Sequence, residues 1–294
     1  MNDAANIATL PLVSGARFID IALTSYGRAF EHPCKTRIVH CLVRRMAGGR
    51  ITVRHVGGSL VAIDPHDFIG WEIFKTGMYE PESLALKMQI MTGEPGIFVD
   101  VGANFGWYTC AVASIAGATV IAIEPDSENC SSLRKNVMRN GFDNVAIFNG
   151  AVGPHSALLP LCRRSAGNSG TVAVHTEQST RTDQPVWVAS RSLDVLLTEL
   201  VHPVAQPVLM KMDVEGYEPQ VLAGLDFAGP FRPRNFLIEC DATLCTGSWG
   251  SRENFATFFT ERGYDLFDVS GRPFAPDQPL PEENVWARDR KQGP

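Results

Sequence analysis

No stretch of this chain approaches the roughly 20 consecutive apolar residues that cross a bilayer, so no membrane-spanning helix is expected. The first residues, MNDAANIATLPLVSG, carry no basic segment ahead of an apolar core, so they do not read as a secretory signal. No CxxC occurs among the seven cysteines, Cys34, Cys41, Cys110, Cys130, Cys162, Cys240 and Cys245. Their number is odd and their spacing scattered. That excludes a zinc signature and fits thiols used as small core residues in a reducing, cytoplasmic setting. Basic residues are also in deficit, 26 Lys and Arg against 32 Asp and Glu, for a net charge of −6. A phosphate polyanion or an acidic membrane surface is repelled on average, so neither nucleic acid nor membrane is an expected partner. The one local cluster, Arg44, Arg45, Arg50 and Arg54, reads as a solvated face. There is no internal repeat and no low-complexity tract.

What is present is ordinary globular material: 294 residues, 45 % hydrophobic and 20 % charged. The length suits one large domain, or a domain with a small appendage. Up to about residue 48 the apolar spacing is helical. ITVRHV and SLVAID then read as a hairpin around Gly57-Gly58. A helix is expected near 66–76, and another opens at Pro81. Residues 1–92 are therefore read as a helical and hairpin extension, suited to acting as a lid or to packing against a second copy of the chain.

From residue 93 the rhythm becomes strand, helix, strand. IFVDV, TVIAIEP and VAIFNGAV are the first three strands; PVLMKMD, NFLIECD, YDLFDVSG and ENVWARD are later ones. Such alternation predicts a parallel sheet covered by helices on both faces. Residues 155–190, a polar insertion rich in Gly, Ser and Thr, interrupt it and read as short strands or an extended excursion.

The most informative stretch is FVDVGANFGWYT, residues 98–109. Ligands of open parallel sheets sit beyond the carboxyl ends of the strands, and FVDV leads into such an end. Gly102 permits a tight turn, Asn104 tolerates unusual backbone angles, and Gly106 opens the following helix closely against its neighbours. Glu124 ends the next strand 22 residues after Gly102, the spacing at which an acid holds both ribose hydroxyls. The pattern asks for an adenosine-bearing cofactor. A dinucleotide site wants the bare glycines of GxGxxG, and the D-x-G-x-N-x-G found here is not that. An acid at Asp100 suits a cationic methionyl group better than a pyrophosphate. S-adenosylmethionine is the cofactor this favours over NAD.

GMYEPE, FVDVGANFGWYT, AIEPD, NGAVG, SLDVLL, LMKMDVEGYEPQVLAGL and FLIECD occur in this order. Together they resemble the FkbM family of class I methyltransferases, over about residues 60–270. The resemblance implies an α/β Rossmann-like sheet of order 3-2-1-4-5-7-6 with the last strand antiparallel. It implies S-adenosylmethionine and a hydroxylated acceptor, a sugar or a secondary metabolite such as a polyketide. It places Asp100, Gly102, Asn104 and Gly106 at the methionine end and Glu124 on the ribose. Asn149 and Ala151, in the stretch up to Val152, would flank the adenine, and Tyr79 and Glu80 would close over the cofactor.

An aliphatic hydroxyl is a poor nucleophile, so a base is expected at the end of the fourth strand, beside the first. MKMDVEGYE places Asp213 there, with Glu215 near it. Alternation puts Lys211 on the same face as Asp213, where it would tune a carboxylate. Glu239 and Asp241, ending the next strand, reach toward the same cleft, Asp241 as a substrate contact. No metal is expected; the alternative ligand set for a hard cation such as magnesium is Asp213, Glu239 and Asp241. Within RRSAGNSGT, Asn168 and Ser169 are the substrate-binding candidates. His155 is the reserve base, and Trp71, Phe74 and Tyr79 are candidates for an apolar wall. The competing functions are an N-methyltransferase and a non-catalytic binding protein. The intact Gly102, Gly106 and Glu124 argue against the latter. DVEG, where nitrogen chemistry often shows an Asn/Asp-Pro-Pro-aromatic run, favours oxygen.

Overall fold

The structure, a computed structural model, describes residues 18–29, 31–46, 49–163, 172–174, 185–201 and 206–292. The extension opens with α1 (Phe18–Ala29) and α2 (Lys35–Arg44), followed by a hairpin of β1 (Ile51–Arg54) and β2 (Leu60–Ile63). Gly57, at a φ of 71°, turns the chain between the two strands. Asp67 starts α3 (Phe68–Thr76) by accepting from the amides of Ile69 and Gly70, and Gly77 ends it in the left-handed conformation. The helix α4 (Pro81–Gly93) opens on its proline, as the sequence predicts.

The main sheet begins with β3 (Ile97–Val101), α5 (Trp107–Ala113), β4 (Thr119–Ile123), α6 (Ser127–Asn140) and β5 (Val145–Phe148). The chain then leaves it for β6 (Ala151–Val152), β7 (Ala157–Arg163), β8 (Val172–Val174) and β9 (Val186–Arg191), a separate four-stranded sheet of order β6-β9-β7-β8. It returns through α7 (Leu193–Leu200), β10 (Val208–Met212), α8 (Glu218–Leu222) and β11 (Asn235–Glu239). The last elements are α9 (Ala242–Trp249), α10 (Arg252–Glu261), β12 (Tyr264–Asp268) and β13 (Asn284–Asp289).

The seven strands lie in the order β5-β4-β3-β10-β11-β13-β12, and β13 runs antiparallel to both neighbours. This is the 3-2-1-4-5-7-6 order. Every residue of β3 and of β10 is buried, as strands covered on both faces require. Alternation sends Phe98, Leu209 and Leu237 into one core layer, and Ile97, Val99, Met210, Phe236 and Ile238 into the other.

Two expectations change, and the short strands of the insertion take definite positions. VAIFNGAV is two strands, because the chain breaks at Asn149-Gly150 and β6 joins the small sheet. The insertion builds most of that sheet, although residues 164–171 and 175–184 lie outside the described residues. The helix α9 has no counterpart in the sequence reading; ATLCTGSW has almost no apolar periodicity to reveal it.

The extension shares a core with the sheet: Val39, Ile51, Ile73 and Phe74 pack in one layer with Phe98, Trp107 and Val120. Trp71 stacks on Phe74, which is fully buried, so neither forms a cavity wall. The edge of β2 is closed by side chains of α6. Asn136 accepts from the amide of Ala62 at 2.8 Å and donates to its carbonyl at 3.3 Å. Asn140, one turn on, does the same for Leu60 at 2.7 and 2.9 Å. Two amides spaced at i and i+4 thus stand in for a missing strand, leaving those edge groups satisfied.

Candidate active site

A cavity of about 270 Å³ lies at the carboxyl ends of β3, β4, β10 and β11. Its floor is the turn after β3. Gly102 has a φ of 79°, and a Cβ there would stand 1.9 Å from the carbonyl oxygen of Asp213. Only glycine lets the two strand ends approach so closely. Asn104 follows at a φ of 50°, and Gly106 at 89° caps α5.

Among the described residues, five other than glycine have positive φ: Glu80, Asn104, Glu215, Glu282 and Glu283. Asn104, Glu215 and Glu283 line the cavity; Glu80 and Glu282 are chain neighbours of lining residues. Each such conformation costs on the order of 1–3 kcal/mol, and its concentration around one cavity makes that cavity the candidate functional site.

Glu124 is 4 % exposed and lines the same space. One carboxylate oxygen accepts from the amide of Asn104 at 2.7 Å, the other from Asp126 at 2.8 Å. Burial pushes its pKa up to about 7, against these two bonds. Asn149 donates to the carbonyl of Glu124 at 2.9 Å. It therefore fixes the end of β4 and does not line the cavity, whereas its neighbours Ala151 and Val152 do.

Asp100 is fully buried beneath the cavity. It accepts from Thr109 Oγ1 at 2.6 Å and stands 3.9 Å from Lys211 Nζ. The carboxylate does not line the cavity itself; its neighbour Lys211, directly across the β3–β10 pairing, does. Lys211 also donates to the carbonyl of Gly102 at 3.0 Å and pairs with Asp213 at 3.2 Å. Burial opposes its charge, but Asp213, Asp100 and Glu80 outweigh burial and raise its pKa.

Asp213, half-buried, lines the cavity with Glu215 and Glu239. Glu218 closes the loop between β10 and α8 by accepting from the amides of Val214 and Gly216, and burial moves it up to about 6. Burial first, then Asp213, Glu215 and Glu218, raise the pKa of Glu239 strongly.

Tyr79 lines the cavity, and its carbonyl accepts from Trp107 Nε1 at 3.2 Å. Glu80 lies behind the wall. Its carboxylate accepts from the Tyr108 hydroxyl and from Asn284 Nδ2. Burial raises its pKa, and Lys87, buried with its Nζ 3.9 Å from the Tyr108 ring, works against that rise.

Several candidates stand elsewhere. Asp241 accepts from the amide of Thr243 at the start of α9 and does not line the cavity. Among the described residues no three His, Cys, Asp or Glu side chains are grouped to hold a metal ion, so the Asp213, Glu239 and Asp241 set is not assembled. His155 is likewise away from the cavity. Asn168 and Ser169 lie outside the described residues. Cys240 and Cys245 are buried, their sulfurs 3.2 Å apart.

Sequence reasoning missed the other walls. Phe68 and Ile69 come from the start of α3, Leu161 and Val174 from the small sheet, and Glu283 from the approach to β13. The small-sheet strands could not be placed from a polar, irregular pattern. The EEN preceding VWARD was the one visible sign of an acid-bearing turn there.

The residues present fit S-adenosylmethionine. Each oxygen of Glu124 keeps a lone pair for a ribose hydroxyl. The close strand ends at Gly102 leave room where a side chain would intrude, and Ile123, Ala151 and Val152 offer an apolar bed for a purine. The sheet order and the glycine turn define a class I methyltransferase. The chain belongs to the FkbM methyltransferase family, whose profile, described as "Methyltransferase FkbM domain", matches residues 100–266.

No curated protein matches the sequence. Among solved structures, TYW2 of M. jannaschii in complex with AdoMet is 13 % identical, covers 81 % of this chain and 84 % of its own, and has a TM-score of 0.41. The precorrin-6y C5,15-methyltransferase of Geobacter metallireducens GS-15 is 10 % identical, with 70 % and 87 % coverage and a TM-score of 0.39. A putative caffeoyl-CoA O-methyltransferase from Staphylococcus aureus is 10 % identical, with 72 % and 85 % coverage and a TM-score of 0.42. Similarities at this level carry no argument about the acceptor of this chain.

Proposed function

We propose that this methyltransferase uses S-adenosylmethionine to methylate a hydroxyl group of a small molecule, a saccharide or a secondary metabolite such as a polyketide. One observation carries the reading: Asp213, paired with Lys211 at 3.2 Å, lines the same cavity as Glu124 and the Gly102 turn. S-adenosylmethionine, when bound, supplies a methyl group already activated on a sulfonium. What remains for the protein is alignment, exclusion of water and removal of a proton.

Glu124 holds the ribose hydroxyls, and the turn from Gly102 to Gly106 shapes the methionine end. Asp213 takes the proton of the acceptor hydroxyl. Lys211 fixes Asp213 and, through Gly102, ties the base to the cofactor turn. Phe68, Ile69, Tyr79, Leu161 and Val174 form the wall that selects the acceptor and keeps water out. The extension and the small sheet together act as a lid in this reading. Asp100 and Asn149 support the site from behind.

Calorimetric titration with S-adenosylmethionine, its demethylated product and NAD, each with and without magnesium, tests the cofactor. Saturable binding of the first two and not of NAD is expected. Radiolabelled methyl transfer to a panel of hydroxylated sugars and polyketides then tests the acceptor. Transfer to amines alone would sink the oxygen reading, and absence of binding would sink the enzyme reading.

A further inference from the structure

The parallel register of β10 and β11 sets Met212 beside Ile238. The next residues along the two strands are Asp213 and Glu239. By alternation both follow Leu209 and Leu237 toward the same face, and both line the cavity. Adjacent positions on one face of neighbouring strands set the two carboxyl groups side by side at the cavity. Two ionised carboxylates at that spacing repel and have no hydrogen to share, so one of the pair keeps its proton.

The surroundings decide which one. Lys211 Nζ lies 3.2 Å from Asp213 Oδ2, and that side chain is 36 % exposed. Glu239 Oε2 is buried and receives no hydrogen bond from any N–H or O–H among the described residues. The groups facing Glu239 are acidic or neutral: Asp213 at the end of β10, Glu215 and Glu218 on the loop and helix that follow, and Tyr79 from the extension. Glu283, ahead of β13, lines the same cavity. The two terminal nitrogens of Arg252 on α10 donate to the carbonyls of Gln278 and Cys240, and its buried Nε has no partner among the described residues.

We propose that Glu239 is the neutral member of a carboxyl pair with Asp213: its O–H donates to Asp213 and holds that carboxylate, ionised and paired with Lys211, at the cavity. Its use in methyl transfer rests on the function proposed above. With S-adenosylmethionine bound, the acceptor O–H would break as its oxygen gained the methyl group, the electron pair of the sulfonium C–S bond would stay on sulfur, and the proton would pass to Asp213. Glu239 is then a positioning residue that acts through the base. The raised pKa of Glu239, caused by burial and by Asp213, Glu215 and Glu218, agrees with this geometry.

The test is carboxyl-carbon NMR on the full chain, labelled at its Glu and Asp carboxyl carbons. Glu239, assigned by the loss of its signal in Glu239→Gln, is expected to stay protonated from pH 5 to pH 8. Asp213→Asn removes a like charge and is expected to lower the Glu239 midpoint by at least about one pH unit. Glu239→Gln keeps a donor toward Asp213 and Glu239→Leu removes it, so kcat is expected to fall further in the Leu variant than in the Gln variant. A purely structural Glu239 would not separate Gln from Leu in this way. Titration of Glu239 in the ordinary carboxylate range overturns the proposal, as does a Glu239 midpoint unmoved by Asp213→Asn. If the Leu variant fails to fold, those two measurements still decide. Failure to bind S-adenosylmethionine by calorimetry removes the methyl-transfer reading without altering these titrations.

Discussion

Lys211 donates from Nζ to the carbonyl oxygen of Gly102 across 3.0 Å, so the strand bearing the candidate base also fastens the candidate cofactor turn. The same ammonium is the cation nearest the fully buried Asp100, at 3.9 Å. Removing it strands a buried carboxylate. Lys211→Met is therefore expected to destabilise the chain by about 3–5 kcal/mol. The double variant Asp100→Asn with Lys211→Met should recover part of that loss. Urea unfolding of the four proteins measures the coupling; strictly additive losses would show that the two residues are independent.

Gly102→Ala tests the turn itself. The added Cβ meets the Asp213 carbonyl at 1.9 Å, and the φ of 79° is one that alanine adopts at a cost. Backbone strain and overpacking together predict a loss of about 2–6 kcal/mol. Because Asp213 must move, methyl transfer should fall further than stability alone accounts for. A variant with wild-type melting temperature would contradict the close approach.

Asp213→Asn separates the proposed proton acceptor from the candidate cofactor site. The substitution is nearly isosteric and leaves Glu124 and the glycine turn untouched. S-adenosylmethionine should bind within a few-fold of the wild-type affinity, while kcat falls by about 10²- to 10⁴-fold, the usual contribution of a general base. Calorimetry and single-turnover methyl transfer give the two numbers. Equal kcat in both proteins would remove Asp213 from the chemistry.

The asparagine pair on α6 predicts a stability effect far from the site. Asn136 is fully buried and serves Ala62 on both its amide and its carbonyl, and Phe105 besides. Asn136→Ala leaves several buried groups without partners and should cost about 2–4 kcal/mol. Asn140→Ala, in a half-buried position, should cost less. Hydrogen exchange at the Ala62 amide should accelerate in the first variant and not in the second.

The strands of the main sheet were legible because strands buried on both faces read as apolar runs, and IFVDV and VLMKM are such runs. Glu124 and the Gly102 turn were legible because their spacing is set by one strand–helix–strand unit. Less visible was anything set by three-dimensional approach. The burial of Asp100 depends on Lys211 arriving from a strand more than a hundred residues away, and alternation along one strand does not reveal a cross-strand partner. The family resemblance implied that Asn149 flanks a purine; in the folded chain its amide is engaged by the Glu124 carbonyl, a contact that needs β4 and β5 side by side. The small sheet was hidden because its outer residues, Leu158 and Trp187 among them, are apolar yet exposed and so break the pattern of a half-buried strand.

Glu124 gives the pH prediction. Burial raises it to about 7 in the folded chain, whereas an unfolded glutamate titrates near 4.3. Between those values the folded state keeps a proton that the unfolded state has released. Stability from this group is therefore fully present below about pH 4 and is lost as pH rises toward 7. The loss amounts to about 4 kcal/mol, with little solvent screening to discount at 4 % exposure. Glu124→Gln cannot ionise and should lack that decline. It gives up one acceptor toward the amide of Asn104 or Asp126, so its curve starts lower at pH 4 and runs flatter to pH 8. Glu80, Glu218 and Glu239, also raised, are common to both proteins and cancel in the difference. Urea unfolding at each pH yields the two profiles. Convergence of the curves with rising pH supports a glutamate kept neutral by burial, while parallel curves would mean that Glu124 is already ionised at pH 4 and that its two backbone amides outweigh its burial.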